Sequence, residues 1–346
     1  MIHALLINKQ FEVKDIIHLI DFKASKNVYN ITTFHAAVSN ISYYSIDDED
    51  IISIFVDGEC FYSGVIKYIS YEEGIIEGYD LKYNMLYHLY SEAFSLTPVS
   101  MNTVSASAKT VFIDVLNCDY KNVIIEFDSD CEKELASSVK IDTRLKFNFE
   151  ILKKICILLD VTYELFAIGN GIVKAKIRKM VDRSESVVLI SGITHKQIAR
   201  IRDKRNYYNQ FLGLGAGELE DRDYHFIDNS DQLEIKRCYI YDLKQDISHD
   251  ELVQECDIKH KEISSDYHFE FQIRDNNVAQ YGKDYFLGDK VKFVSKDSSE
   301  KIVDMISEIE INIENGIMNT AYTATVGTSE YSLTAKVKNM KEGGYK

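Results

Sequence analysis

The sequence has no tryptophan, one proline (Pro98) and no apolar run long enough to cross a bilayer. A membrane-spanning helix needs about 20 predominantly apolar residues, so no membrane association is predicted. Met1 is not followed by the basic segment and long apolar stretch of a secretory signal peptide. Together these absences predict a soluble protein made in a cytoplasm.

Cysteine and histidine patterns that hold metal ions are also missing. The closest two of the six cysteines, Cys118 and Cys131, are 13 residues apart, and there is no C-x-x-C pair. Zinc sites and a disulfide-stapled scaffold are therefore not expected. No histidine falls in an H-E-x-x-H or H-x-H pattern, so His225 and His268, which lie in strand patterns, are interpreted as structural.

Motifs for nucleophilic or nucleotide chemistry are absent as well. There is no G-x-S-x-G elbow and no Walker lysine after a glycine loop. Neither Cys118 nor Cys256 has the local signature of a cysteine nucleophile. We therefore predict that the protein is not an enzyme and binds no cofactor or metal.

Charge of one sign dominates: 55 acidic residues against 40 basic ones give a net charge of −15. Sequence-independent binding to nucleic acid needs a basic surface, so such binding is not expected. An acidic wall can keep a passing polyanion from sticking, but ordinary solubility is the preferred explanation of the charge.

Strand patterns fill both ends of the chain. Near the N-terminus β-branched and aromatic residues at 30–38, 51–56, 59–69 and 74–79 predict an antiparallel meander, with Asp57-Gly58 as a hairpin turn. Strands are again predicted at 267–273, 285–294, 303–313 and 320–326.

The middle mixes helices and strands. Apolar periodicity predicts helices at 108–116 and 146–159, and strands at 123–127, 162–167 and 172–177. The small polar residues of 96–107 are interpreted as a linker. A further helix is predicted to begin at His249, in a segment inserted between strands. The tail 336–346 is expected to be poorly ordered.

The most informative stretch contains Gly213, Gly215 and Gly217. Its spacing misses the dinucleotide fingerprint G-x-G-x-x-G because Glu218 stands where the third glycine belongs. Four acids within six residues would also repel a pyrophosphate. We therefore predict a β-strand whose bare face lets another backbone or a subunit come close.

Two acidic clusters and one basic stretch each allow a functional and a structural interpretation. The cluster 47–50 could bind a hard cation but lacks EF-hand spacing, so a solvated acidic turn is preferred. Acids in 218–223 could serve as the carboxylate pair of a glycosidase, a role that depends on their separation in space. The basic stretch 200–205 precedes two tyrosines, as in some nucleic-acid sites, but flanking acids favour intersubunit ion pairs.

Three sets of short motifs follow one another along the chain: 61–66 with 77–81, 202–209 leading into 213–218, and Y-x-L-G-D-x-V at 285–291 followed by I-x-E-I at 306–309. The last set is the most specific. In this order and spacing the motifs resemble those of the baseplate-hub or tail-hub proteins of tailed bacteriophages and of related contractile bacteriocin particles.

The resemblance implies a mostly β fold with α+β content, in which two tail-tube-like β-barrel domains are separated by an α+β domain. It also implies that three copies form a ring of six barrels between the hexameric tail tube and the trimeric spike or tip. On this basis we predict a first barrel at 1–95, a middle domain at 96–190, a second barrel at 191–245 and 266–335, and a helical insertion at 246–265.

The predicted function is that of a homotrimeric structural hub lining the tail channel. Its expected partners are the tube, the spike and other baseplate proteins, in a virion tail or tail-like particle assembled in the bacterial host cytoplasm. DNA is expected only as passing cargo, and only if the particle is a true phage. The alternatives are a cell-wall-degrading tail enzyme using acids near 218–223 and a stand-alone ligand-binding β protein. Candidate interface or structural residues are Gly213, Gly215, Gly217, Arg202, Arg205, Gly288 and Asp289.

Overall fold

Alternation of buried apolar and exposed polar side chains builds most strands of this computed structural model. In the third strand, for example, Phe22 and Ala24 are buried whereas Lys23 between them is exposed. The structure describes residues 2–86, 103–117, 122–142, 146–190, 195–202, 208–218, 221–230, 235–243, 247–263, 267–274, 279–294, 301–314, 317–318 and 321–327.

The N-terminal part is a set of antiparallel strands followed by one short helix. The predicted strands at 51–56, 59–69 and 74–79 are confirmed, and the prediction at 30–38 becomes a strand over its second half. The elements are β1 (Ile2–Ile7), β2 (Val13–Ile17), β3 (Leu19–Asn27), β4 (Thr33–Val38), β5 (Ile51–Val56), β6 (Glu59–Ser70), β7 (Ile75–Asp80) and α1 (Leu81–Leu86).

The middle part has two small sheets covered by helices, and its predicted helices and strands are confirmed. One sheet has the order β11-β12-β9 and the other pairs β10 with β8. The elements are β8 (Thr103–Ser107), α2 (Ala108–Asn117), β9 (Val123–Phe127), α3 (Glu132–Leu135), β10 (Ser138–Asp142), α4 (Asn148–Leu159), β11 (Val161–Gly169) and β12 (Ile172–Lys179).

The C-terminal part returns to strands, with one long helix among them. Strand predictions at 267–273, 303–313 and 320–326 are confirmed, as is the helix opening at His249. The elements are β13 (Val188–Ile190), β14 (His195–Arg202), β15 (Gln210–Leu214), β16 (Tyr224–Asp228), β17 (Cys238–Asp242), α5 (His249–Ile263), β18 (Tyr267–Arg274), β19 (Lys290–Val294), β20 (Lys301–Glu314), β21 (Ile317–Met318) and β22 (Ala321–Gly327).

One 14-stranded sheet joins the two ends of the chain. Its main path is β14-β18-β22-β20-β3-β4-β7-β6-β5-β1-β2, and β19 pairs with both β20 and β13. The pairing of β20 with β3 connects the C-terminal strands to the N-terminal ones. One hydrophobic cluster under this sheet contains residues from both ends, including Phe22, Tyr62, Phe293 and Ile309.

The two ends share one strand order. In the N-terminal part the hydrogen-bonded order is β3-β4-β7-β6-β5, and in the C-terminal part it is β14-β18-β22-β20-β19, antiparallel at every step. In both parts the sheet then continues to a strand that directly precedes the first strand of the unit in the chain. In the N-terminal part, β5 pairs with β1 and β1 with β2, which ends one residue before β3. In the C-terminal part, β19 pairs directly with β13, which precedes β14.

The register repeats along with the order. The β-bulge between Ile66 and Tyr68, where β6 pairs with β7, matches the bulge between Ile306 and Glu308, where β20 pairs with β22. These bulges align Ser70 of β6 with Glu310 of β20. The chain therefore contains two copies of one five-strand unit, although its sequence shows no repeat.

Two predictions of local structure were wrong. Thr103–Ser107, assigned to a linker, is a strand because β10 supplies its backbone partners. The strand predicted at 285–294 begins only at Lys290, because the preceding residues form a turn in which Gly288 has a φ of 91°. The rest of the predicted linker and the tail 336–346 lie outside the described residues.

The strand with the glycines also differs from its expected place. β15 pairs with β16 on one edge and β17 on the other, which forms a separate three-stranded sheet beside the 14-stranded one. Both edges of β15 are thereby used. Helix α5 packs against this sheet. The segment inserted between strands of the 14-stranded sheet therefore comprises β15, β16 and β17 as well as the predicted helix.

Candidate functional site

A buried aspartate stands at the corner before β5. Asp50 is 3% exposed and its Oδ2 accepts hydrogen bonds from the Lys14 Nζ at 2.7 Å and the Asp47 amide at 2.9 Å. The amide of Ile66 donates to the Asp50 carbonyl, and the amide of Glu49, whose φ is 72°, donates to the Ile66 carbonyl. The interpretation of 47–50 as a solvated turn was therefore wrong for Asp50.

The same corner occurs before β19. The Oδ2 of Asp289, 0% exposed, accepts hydrogen bonds from the Arg183 Nε at 2.7 Å and the Phe286 amide at 3.1 Å. The amide of Ile306 donates to the Asp289 carbonyl, and the amide of Gly288 donates to the Ile306 carbonyl. The corner of the C-terminal unit thus repeats that of the N-terminal unit bond for bond, with Arg183 in the place of a lysine.

Asp289 has further partners that link the C-terminal unit to the middle part. Its Oδ1 accepts hydrogen bonds from Arg178 Nη2 at 2.8 Å and the Val181 amide at 3.0 Å. The guanidinium of Arg178, on β12, also lies 4.3 Å from the centre of the Phe286 ring. Two arginines around one buried carboxylate make a charge-assisted joint, which fixes the position of β19 relative to β12.

Gly288 is required at this joint for two reasons. Its positive φ disfavours any residue with a side chain, and a Cβ there would lie 2.7 Å from Met180 Sδ. Gly288 and Asp289 are therefore residues of an internal joint. A contact between subunits at these positions stays a prediction.

The glycine strand packs against α5 of the same chain. A Cβ on Gly213 would lie 1.9 Å from Cys256 Sγ, and one on Gly215 would lie 3.0 Å from Leu252. With Phe211, the two helix residues form a small separate core. Gly217 has a φ of 96° in the turn that follows. The bare face of the strand thus accommodates a helix.

In the acidic cluster after this strand, one carboxylate contacts a histidine, and the neighbouring arginine forms an ion pair. Asp223 accepts a hydrogen bond from His249 Nδ1 at 2.9 Å, and Arg222 pairs with Asp242. Glu218 is exposed, and position 220 lies outside the described residues. Arg222 Nε also donates to the Gly215 carbonyl at 3.0 Å, which ties this turn to the glycine strand.

A second polar cluster is buried where β3, β7 and β11 meet. Lys26 Nζ lies 2.7 Å from Glu164 Oε1, and Lys82 Nζ donates to the Asn27 carbonyl at 2.9 Å. Burial raises the pKa of the Asp80 carboxyl to about 6. Burial opposes ionisation of Glu164, but nearby Lys26 holds its pKa below the usual value.

The cavity beside this cluster is about 30 Å³, enough for about one or two water molecules. Ligand pockets measure about 300–1,000 Å³, so the cluster joins the first sheet to the middle part and leaves no room for a substrate. Sequence reasoning missed it because its members lie far apart in the chain.

Of the remaining candidates, Arg202 ends β14 and Arg205 lies outside the described residues. Within the described ranges no three acidic, histidine or cysteine side chains gather in a way that could hold a metal ion. The same ranges contain no helix long and apolar enough to cross a membrane.

Comparisons with known proteins agree with the sequence motifs. A family model described as the Siphovirus ReqiPepy6 Gp37-like protein matches residues 173–328. That segment contains the Asp289 corner and β13–β22. No curated protein sequence matches the chain.

Solved structures of tail proteins share the fold over nearly the whole chain. The 43 kDa tail protein of prophage MuSo2 from Shewanella oneidensis is 13% identical with a TM-score of 0.64, covering 94% of this chain and 97% of its own. A tail protein from Neisseria meningitidis MC58 is 9% identical with a TM-score of 0.62, covering 95% and 97%. Prophage tail protein gp18 from Listeria monocytogenes EGD-e is 9% identical with a TM-score of 0.61, covering 98% of each chain. The resemblance to phage tail and baseplate proteins is confirmed.

Proposed function

We propose, from the resemblance to phage tail and baseplate proteins, that this chain is the structural hub of a phage or phage-like tail. As a homotrimer it joins the hexameric tail tube to the trimeric spike or tip and lines the central channel. Other baseplate proteins bind around it. It is assembled in the cytoplasm of the bacterial host and resides in the tail.

The repeated strand unit is the observation that carries this proposal. A trimer whose chains each hold two equivalent units presents six of them, and six units match the symmetry of a hexameric tube. In each unit the sheet path returns to the chain segment that precedes its first strand. This return supports closure of each unit into a barrel, with the shared corner at Asp50 or Asp289 at equivalent places.

One sheet face supplies a wall for the channel. On the side of β3 and β4 away from the core lie Lys23 and His35, paired with Glu310 at 3.0 Å and Glu77 at 2.8 Å. These side chains border a groove of about 540 Å³. A polar face of this kind, in a chain with a net charge of −15, lets DNA pass without adhering to it.

Electron microscopy of tail particles tests the proposal. Antibody or gold label against this chain should mark the end of the tail tube, and particles made without it should lack the spike. Label along the whole tube, or intact spikes in its absence, would rule out a hub. Zymography of the purified protein against peptidoglycan addresses the enzyme alternative, because a hub gives no clearing.

A further inference from the structure

The structure shows how one strand unit joins the next inside the chain. The C-terminal half of β20 lies antiparallel along the edge of β3, with Ser25 opposite Glu310 and Lys26 opposite Ile309. Lys23 and Glu310 form an ion pair across this seam at 3.0 Å. The N-terminal unit offers an edge of β3, and the C-terminal unit covers it with β20.

Both strands of this seam, β3 and β20, have a counterpart in the other unit. The match of β7 with β22 and of β4 with β18 makes β14 the counterpart of β3, with Ile201 in the place of Ser25. The same match makes β6 the counterpart of β20, with Ser70 in the place of Glu310. The internal seam therefore predicts a second seam between β14 and β6.

Within the described part of the chain, neither edge needed for that second seam has a second strand beside it. Among the described residues, β14 pairs only with β18, and the last residues of β6, from Tyr68 to Ser70, pair only with β7. An unpaired strand edge invites pairing with another chain. Within one chain, six strands of the run β14-β18-β22-β20-β3-β4-β7-β6 separate β14 from β6, and no described residue of one pairs with the other.

We propose that β14 of one copy of this chain pairs antiparallel with the end of β6 of the next copy. Transfer of the internal register places Ile201 opposite Ser70, Arg202 opposite Ile69, and Arg200 opposite Tyr71. The partner is a second copy, because only the same chain offers the complementary edge in the geometry that β3 and β20 already use.

Exposure and charge at the two edges agree with this pairing. Tyr68 and Tyr71 are 50% and 52% exposed, and the turn after β6 carries the exposed acids Glu72 and Glu73. The sequence of β14 has Lys196, Arg200 and Arg202 and no acidic residue. Opposite net charges on the two segments favour this pairing over one between two like edges.

The seam is heterologous, since a different edge of each copy takes part. Heterologous contacts form closed rings when the rotation closes and filaments when it does not. If the internal and external seams share one geometry, successive units turn by equal angles, and a turn of about 60° per unit would close a six-unit ring with three chains. This assignment rests on the proposed hub function.

Paired cysteines test the seam in the full-length protein. Opposed side chains of an antiparallel pair have Cβ atoms about 4.5–5.5 Å apart, within reach of a disulfide or a short bifunctional maleimide. The double variant Ser70→Cys/Ile201→Cys is made with Cys118 and Cys238 replaced by serine. Oxidised chains should then form covalent trimers on a non-reducing gel, on the order of tenfold faster than random encounters.

Two controls define the register and the direction. A mixture of chains with Ser70→Cys alone and Ile201→Cys alone should yield covalent dimers and nothing larger, while each variant alone yields neither. The pair Tyr43→Cys/Ile201→Cys reports random collision, because Tyr43 is 82% exposed and lies on neither edge. Thermal unfolding of the single variants, followed by circular dichroism and compared with the unmodified chain, shows that they still fold.

The outcomes separate the seam from the hub. A mass of three times 39.8 kDa without links between positions 70 and 201 overturns this seam and leaves the trimeric hub standing. Equal linking by the Tyr43 pair overturns the seam as well. A chain that stays monomeric and unlinked at the highest concentration reached also contradicts it, and the hub is then judged by its position in labelled tails.

Discussion

At the scale of single residues, the Asp289 carboxylate has the largest expected effect on stability. Asp289→Ala leaves Arg178 and Arg183 without the buried carboxylate that they contact at 2.8 and 2.7 Å. Breaking a buried ion pair from one side costs about 3–5 kcal/mol, so the free energy of unfolding should fall by about that amount in urea titrations. Glu185→Ala is the matched control, because Glu185 is 93% exposed in its ion pair with Lys292. Equal losses for the two variants would contradict the buried joint.

Asp80 should make stability depend on pH. Its pKa is about 6 in the folded protein and about 3.9 in an unfolded chain. The folded state therefore holds the proton more tightly, and stability is lost as the pH rises from about 4 through 6, by about 3 kcal/mol. Asp80→Asn lacks this titration, so its stability relative to the unmodified protein should rise by that amount between pH 4 and 7.

Urea unfolding at several pH values measures the Asp80 effect. The asparagine retains an oxygen that can accept the hydrogen bonds of the Thr32 amide and hydroxyl. Asp48→Asn, at an exposed position, serves as the control and should change stability equally at every pH. Parallel pH profiles for Asp80→Asn and the unmodified protein would show that folding does not raise the pKa of this carboxyl.

At the scale of elements, the glycine strand and α5 fit each other by size. Gly213→Ala places a methyl group 1.9 Å from Cys256 Sγ, so the helix must move, at a cost of about 1–3 kcal/mol. Gly213→Ala/Cys256→Ala removes the opposing sulfur and should recover most of that loss. Thermal unfolding of the two single variants and the double variant measures this coupling. Simple additivity would mean that the strand and the helix do not touch here.

The sequence predicted elements better than it predicted their partners. Strands such as β9 and β12 follow from local alternation, and α4 follows from its apolar periodicity. The turn before Lys290 was mistaken for strand because it depends on Arg178 and Arg183, about a hundred positions away in the sequence. The glycines correctly indicated a close approach, but nothing local identified α5 as the neighbour.

At the scale of the whole molecule, the repeat was invisible in the sequence because it is kept by the backbone. Ile66 and Ile306 are alike, but Ser70 corresponds to Glu310 and Ala36 to Phe271. Sheet pairing and bulge positions tolerate such changes, since backbone hydrogen bonds do not depend on side-chain identity. The buried aspartate is the side chain that both corners retain, and it is recognisable only once the registers are known.

The charge of the β3 and β4 face assigned to the channel should decide whether the protein retains DNA. Glu77→Lys/Glu310→Lys replaces two negative charges on that face by positive ones, beside Lys23 and His35. The unmodified protein should not retain double-stranded DNA, whereas the variant should bind it at low salt, with log affinity falling linearly with log salt concentration. Fluorescence anisotropy with a labelled duplex measures both. Glu185→Lys, which adds charge at an exposed site away from the face, should bind far more weakly. Equal binding by Glu185→Lys would show that net charge, and not this face, governs contact with DNA.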